Sequence, residues 1–551
     1  MARPTRLESL VLLAVFGAGV FLAGLELMIT AVALPAIVID LADWTRLREA
    51  SWIVNGYLLV YIVAMPLAGR MADLWGSRRL FMAALVVFTF GSLLAGRAQT
   101  LEELIAARLL QAAGGGVLVP VGTAAASHLF EGTARPRALG IIGALTFLGM
   151  AIGPFIGAAI LGTLHPEAAL SRFGMASTDP LAEGLMPAWR YVFYVNVPIG
   201  ILALILAWAA GAGWETPRRS GRLDIAGAIV FSVALVAGLG AVTLIGTTDA
   251  PGLPVDPQLL MAVLAIVAVV ASALVIARSL TTRDPFLDVR LFRRLPFASA
   301  SLVSLLTGYG FLTAIVGGAV FVDRVLYGGP ADQRLALGAL ALATAIGALA
   351  SGFAIRLLPL RVVSVLGLSA SAIALWRMAS WQRTSSIEEI ALVLAVFGLG
   401  FGLTVTPRST AAVESAGPES FGAASATVTV ARHIGMAVGL AILTAYGSTT
   451  IDRLSTEIYT TPNAYKQYIP VELRDRPLRD GLVVEALETW ASGEAARVMV
   501  GIVGVAAVLT LLAIPPALAL DRRRRDPRAG TVAAGGDGRP RDDATEASLA
   551  L

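Results

Sequence analysis

Glu26 sits inside an apolar run from about Leu10 to Leu34, and no other carboxylate of the chain lies as deep within such a run. A carboxylate in hydrocarbon is costly, so it persists where it pairs with a cation, carries a proton, or does each in turn. Arg108, in a later apolar run, is a cation that can meet it. His433 stands beside Arg432 in another run and adds a ring whose proton can move near neutral pH, although a neutral imidazole bonded within its own surroundings is the plainer use. Asn55, Tyr57, Gln111 and Asn196 are polar groups in apolar runs, each able to bond a neighbouring helix or a bound solute. Other chemistries are poorly provided for. With no Cys there is no thiolate nucleophile, disulfide or thiolate-held zinc, and of the three His, His128 and His165 fall in loops with no partner at ligand spacing. No Gly-x-x-x-x-Gly-Lys loop offers a nucleotide site, so neither a cofactor nor a catalytic centre is expected.

The elements that must hold these residues follow from composition. Of 551 residues, 57% are hydrophobic and 15% charged, against roughly 25% charged in a soluble domain. Most of the chain therefore belongs in a lipid bilayer. Apolar runs lie near 10–34, 52–69, 80–97, 104–126, 138–162, 190–212, 224–247, 258–279, 297–322, 335–355, 362–380, 390–410, 421–446 and 495–519, which predicts fourteen spans. The first follows Arg3 and Arg6 and ends in small residues as a signal peptide would, but its length and Glu26 favour a retained helix. Arginines gather in alternate loops: Arg70, Arg78 and Arg79; Arg135 and Arg137; Arg218, Arg219 and Arg222; Arg278 to Arg294; and Arg522 to Arg525. These loops and both termini are expected to face the cytoplasm, with the long segments 163–188 and 447–493 outside. The tail from about Asp526 has too little apolar content to pack and reads as disordered. The net charge of +4 and the scattered Arg argue against nucleic acid as a partner. If the centres of spans 1 and 4 lie near Leu22 and Gly114, Glu26 and Arg108 fall about 6 and 9 Å to the same side of the midplane, close enough to meet.

Several stretches form patterns. Between spans 2 and 3 stands Gly69-Arg70-Met71-Ala72-Asp73-Leu74-Trp75-Gly76-Ser77-Arg78-Arg79, and a degenerate echo, Gly352 to Arg361, follows span 10. Without gaps, Gly69 aligns with Gly352 and Arg78 with Arg361, while Asp73 meets Arg356, as two related halves would leave them. In span 5, Gly149, Gly153 and Gly157 share one helix face, and Pro154 removes a helix hydrogen bond. Leu25 to Pro35, Trp189 to Gly200, Asp284 to Phe297 and Arg432-His433-Ile434-Gly435 are further distinctive stretches. Together these resemble the major facilitator superfamily, and within it the fourteen-span drug:proton antiporters of the EmrB/QacA type.

The resemblance implies an all-α membrane protein of the major facilitator fold. It would have a six-helix bundle over 1–212, two linking transmembrane helices within 213–296, a second six-helix bundle over 297–519, and the disordered cytoplasmic tail over 520–551. It implies a multi-pass inner (plasma) membrane exporter that exchanges protons for an amphipathic or hydrophobic small-molecule substrate by alternating access. Glu26, Arg108 and His433 would be its proton-coupling residues. Gly69, Asp73, Gly76, Arg78 and Arg79 would form the gating loop, and Gly149, Gly153, Pro154 and Gly157 the antiporter motif. Asn55, Tyr57 and Gln111 are candidates for the substrate cavity. Glu26 stands where the family usually has Asp, Met28 where it has Thr, Ala112 where it has Gly, and His433 where it has Gln. Export of an endogenous metabolite, lipid or siderophore would use the same scaffold, as would a transport-dead sensor. A membrane-embedded enzyme lacks support in these residues, and docking of a periplasmic adaptor protein on the outer segments stays open.

Overall fold

The computed structural model describes residues 5–41, 47–50, 52–166, 184–210, 215–218, 221–245, 255–460 and 463–521. Helix is the only regular structure among them, and fourteen helices are long and apolar enough to cross a membrane. A backbone in hydrocarbon must satisfy its own polar groups, which for runs this apolar leaves the helix. Spans 1 to 5 are Arg6–Leu41, Trp52–Trp75, Ser77–Arg97, Leu101–Leu129 and Ala134–Thr163. Spans 6 to 9 are Arg190–Ala210, Ile225–Thr243, Pro257–Thr281 and Leu295–Val320. Spans 10 to 14 are Pro330–Ala354, Leu360–Met378, Ile387–Ala416, Phe421–Thr460 and Gly481–Leu512.

Spans 1–6 and 9–14 form two six-helix bundles, and spans 7 and 8 pair with each other beside them. One core gathers Phe16, Phe81, Phe88 and Tyr61. The other gathers Phe311, Leu340, Phe397 and Phe401, and takes in Phe147 and Met150 of span 5 from across the seam. Span 8 buries the least: Leu259, Ile266, Val270 and Ile276 all face outward. A helix apolar all round but buried on so little of its surface is solvated by lipid chains.

Asp224 lies where the sequence suggests a solvated span edge, yet it is buried. It caps span 7 through the Gly227 amide at 2.9 Å, accepts from the Phe286 amide at 3.2 Å, and pairs with Arg278 at 2.7 Å. Burial alone would raise its pKa, but the Arg278 guanidinium and the two amides outweigh it and hold the carboxyl below its ordinary range.

Segment 447–493, expected as a loop, is helical at both ends. Span 13 runs unbroken for 40 residues, about 60 Å at 1.5 Å per residue and twice a hydrocarbon core of about 30 Å. Span 14 begins at Gly481, where the Asp480 side chain accepts from the Leu482 amide. Hydropathy marks membrane depth and not helix, so the polar stretch after Thr449 gave no signal of continuing the helix. Most of 163–188, Arg219 and the tail from Arg522 lie outside the described residues.

Candidate functional site

Glu26 is fully buried at the heart of the first bundle. Its Oε1 is ion-paired with Arg108 Nη1 and accepts from Thr30 Oγ1 at 2.7 Å, one turn along the same helix. Its Oε2 accepts from Asn196 Nδ2 of span 6 at 2.5 Å. Arg108 has other holds: Nη1 donates to Gln111 Oε1 at 2.6 Å, Nε to the Ile53 carbonyl at 3.3 Å, and the guanidinium carbon lies 3.9 Å from the Tyr57 ring centroid. Gln111 passes the chain on to Ser92 Oγ at 2.6 Å. The structure thus brings Glu26, Arg108, Tyr57 and Gln111 together. Asn55, by contrast, is exposed on span 2 and stands apart from this network.

By residue type Asn196 is one of several polar groups in apolar runs, and its place on Glu26 is set by its surroundings. Trp189 Nε1 donates to Asp40 Oδ2 at 3.0 Å, and Arg190 donates to the Gly96 carbonyl at 2.9 Å and to Gln99 Oε1 at 3.1 Å. These bonds lock the start of span 6 to the ends of spans 1 and 3. The one available signal was that Asn196 belongs to the same distinctive stretch as Trp189 and Arg190. Its Oδ1 is buried without a partner among the described residues.

His433 is buried, with Nδ1 2.8 Å from the Thr429 carbonyl of its own helix. It lies at the end of a row of rings. Tyr57 stacks on Tyr61 at 5.7 Å, and the Tyr61 ring meets the His433 imidazole edge-on at 5.6 Å. The row joins the Arg108 guanidinium of one bundle to span 13 of the other.

The hairpin between spans 2 and 3 meets the second bundle at Asp73. Asp73 accepts from the Gly422 amide at 2.8 Å and the Ala423 amide at 2.9 Å, where span 13 begins and its free N–H groups attract an anion. A Cβ at Gly69 would strike Ala426 and the Gly422 carbonyl, so Gly69 permits the crossing. Gly76 has φ +93°, a conformation glycine adopts at no steric cost. Arg78 and Arg79 do not cross the seam: they reach the Trp208 carbonyl at 3.2 Å and Glu215 at 3.2 Å, beyond span 6. The face of Gly149, Gly153 and Gly157 lies on the span 1 backbone from Phe21 to Ile29, on both sides of Glu26. Pro154 sits within that helix.

Two six-helix bundles meeting along a seam, with an acid–arginine pair buried in one and a carboxylate-to-amide contact across one end, define a solute transporter that spans the membrane. A family model for the Major Facilitator Superfamily matches residues 16–440, and the chain belongs to that superfamily. Over 463 residues it is 30% identical to a triacylglyceride transporter of Mycolicibacterium hassiacum, covering 81% of each chain. It is 26% identical to the multidrug transporter protein MdtP of Bacillus subtilis, covering 79% of this chain and 75% of that one. Its fold is similar to that of the human organic anion transporter MFSD10, with a TM-score of 0.56 at 14% identity over 92% of this chain and 99% of that one. A bacterial homologue of the human lysosomal transporter Spinster, solved inward-facing, gives a TM-score of 0.55 at 16% identity over 94% and 99%. Fold and relatives are those of transporters, not of enzymes.

Proposed function

We propose that this chain is a proton-coupled exporter of amphipathic or hydrophobic small molecules, of the EmrB/QacA drug:proton antiporter type, working by alternating access in the plasma membrane. The reading is carried by one observation: the fully buried Glu26 is shared among Arg108, Thr30 and Asn196. In the charged state the carboxylate accepts from all three. A proton arriving from outside would neutralise it, weaken its hold on Arg108, and let a turned Asn196 amide present the unpartnered Oδ1 to the new O–H. Arg108 would then rest on Gln111, the Ile53 carbonyl and the Tyr57 ring. The Tyr57–Tyr61–His433 row would carry that shift to the second bundle, with His433 as a further candidate for the proton.

In this scheme the bundles are 1–212 and 297–519 with the linking helices within 213–296, both termini face the cytoplasm, and the Asp73 latch closes the cytoplasmic end. The names of the relatives support two substrate readings, drugs and lipids, and the 81% coverage of the triacylglyceride transporter gives export of an endogenous lipid equal standing. An adaptor would dock on the outer extension of spans 13 and 14. The test is efflux of a hydrophobic fluorescent dye from proteoliposomes under an imposed pH gradient. Glu26→Gln should abolish uphill efflux, and Glu26→Asp should retain it. Uphill pumping by well-folded Glu26→Gln protein would remove Glu26 from coupling and leave His433.

A further inference from the structure

The second bundle holds two arginines whose positive charges the coupling scheme does not use. Arg408 of span 12 is 2% exposed; its Nε donates to the Thr404 carbonyl at 2.9 Å and its Nη1 to Thr307 Oγ1 at 2.6 Å. Arg432 of span 13 is half-buried, and its guanidinium faces the Phe147 ring, which in turn meets the Phe401 ring beside Arg408. Span 9 packs against both: Thr307 takes the bond from Arg408, and a Cβ at Gly308 would strike the Arg432 carbonyl. No salt bridge joins either arginine to an acid among the described residues, whereas Arg108 in the first bundle has Glu26. One turn before Thr307, Ser304 is fully buried and its Oγ has no partner.

Phenyl rings lie beside both. Phe311 stacks on Phe401 at 4.3 Å, and Phe147 of the first bundle meets these two edge-on at 5.4 and 5.5 Å. Arg408 lies 5.3 Å from the Phe401 centroid and Arg432 5.6 Å from that of Phe147. Contact with a ring recovers only part of the hydration that a buried guanidinium gives up, and a second positive charge in the same region adds to the cost. Phe147, Phe311 and Phe401 are themselves buried, so it is as the seam opens that this unbalanced cationic pair and the rings beside it become available to a ligand that supplies the counter-charge.

We propose that Arg408 and Arg432 together receive the anionic headgroup of an amphiphile, a carboxylate or phosphate, whose apolar part lies against Phe147, Phe311 and Phe401. The guanidinium supplies the paired donors that such oxyanions accept. Because Phe147 belongs to one bundle and the arginines to the other, the ligand would bridge the seam along which the bundles must move. The inference rests on the exporter reading and narrows its substrate to anionic amphiphiles.

Binding separates this site from proton coupling. The full chain in nanodiscs of zwitterionic lipid, with no gradient, is titrated with dodecanoate, dodecyl phosphate, dodecanol and dodecyltrimethylammonium by displacement of a fluorescent dodecanoate, corrected for empty nanodiscs. At least one anion should bind about tenfold or more tighter than the alcohol, and the ammonium weakest. Arg432→Gln should erase that preference and Arg432→Lys keep part of it. Equal binding of anions and alcohol, tighter binding of the ammonium, or an intact preference in Arg432→Gln would overturn the proposal. Should Arg432→Gln not fold, the series on the unaltered chain decides alone. Lost dye pumping with an intact anion preference would count against the coupling scheme alone, and the reverse against this site alone.

Discussion

At the scale of single residues, the network around Glu26 sets what its removal costs. Breaking a buried ion pair usually costs about 3–5 kcal/mol, because the remaining charge is stranded. Arg108 would not be stranded: Gln111, the Ile53 carbonyl and the Tyr57 ring remain. Glu26→Gln is therefore expected to cost about 3 kcal/mol or less, and thermal unfolding of purified protein should show folded material on which efflux can be measured. A loss of expression beyond that would favour a static pair that only pins span 1 to span 4. Asn196→Leu tests the proton step at the same scale. It removes one donor to the carboxylate and the acceptor offered to its protonated form, so efflux should fall more than stability and its pH profile should shift. An unchanged profile would confine Asn196 to packing.

Among elements, the contacts that matter are glycine faces and one capping acid. Span 5 lies on span 1 only because Gly149 and Gly153 have no side chain there, and the backbone they touch, from Phe21 to Ile29, carries Glu26. Gly149→Leu should push the helices apart and displace the acid, with uphill efflux lost and overpacking of about 1–3 kcal/mol read as lowered thermal stability. Normal efflux by that variant would refute the dependence. Asp73 caps the first turn of span 13 from another bundle. Asp73→Asn keeps one acceptor and loses the charge, weakening bonds of about 1.5–3 kcal/mol each. Transport of every substrate should fall alike while binding affinity stays, as expected of a latch. A loss confined to one substrate would instead place Asp73 on the substrate's path.

Over the whole molecule, the echo of the hairpin motif acquires a physical meaning. Gly69 on span 2 crosses span 13 at Gly422, and Gly352 on span 10 crosses span 5 at Gly140, so each aligned glycine brings its helix against the opposite bundle. The symmetry stops at the acid. Arg356, which aligns with Asp73, is exposed and lines a cavity with Arg290, Arg293 and Arg294, so only one of the two crossings carries a capping carboxylate. Gly352→Leu should accordingly hold the same end of the molecule apart as Gly69→Leu, both read as raised solvent access to the central cavity. Different ends opening in the two variants would break the proposed symmetry. Orientation is tested separately by reporter fusions. Those after Arg137, Arg222, Arg294 and Arg525 should report cytoplasm, and those within 163–188 and 447–493 the outside. An outside signal after Arg525 would remove the even-numbered bundle.

What the sequence determined by itself was whatever depends on residue type and spacing along the chain. A run of apolar residues fixes a span because its backbone must close its own hydrogen bonds in lipid, and depth counted at a fixed rise placed Glu26 and Arg108 within reach of each other. Tertiary structure decided whatever depends on which faces meet. Asn196 reaches a carboxylate 170 residues away only because span 6 is anchored at Trp189 and Arg190. Arg78 and Arg79 turn to the end of span 6, Asn55 turns out of the network, and Arg408 and Arg432 flank one cluster of rings with no salt bridge to an acid among the described residues. Helix periodicity gives a residue its height and its side, but the partner on that side is set by how helices far apart in sequence pack. A missing counter-charge among the described residues is likewise a property of packing, not of sequence.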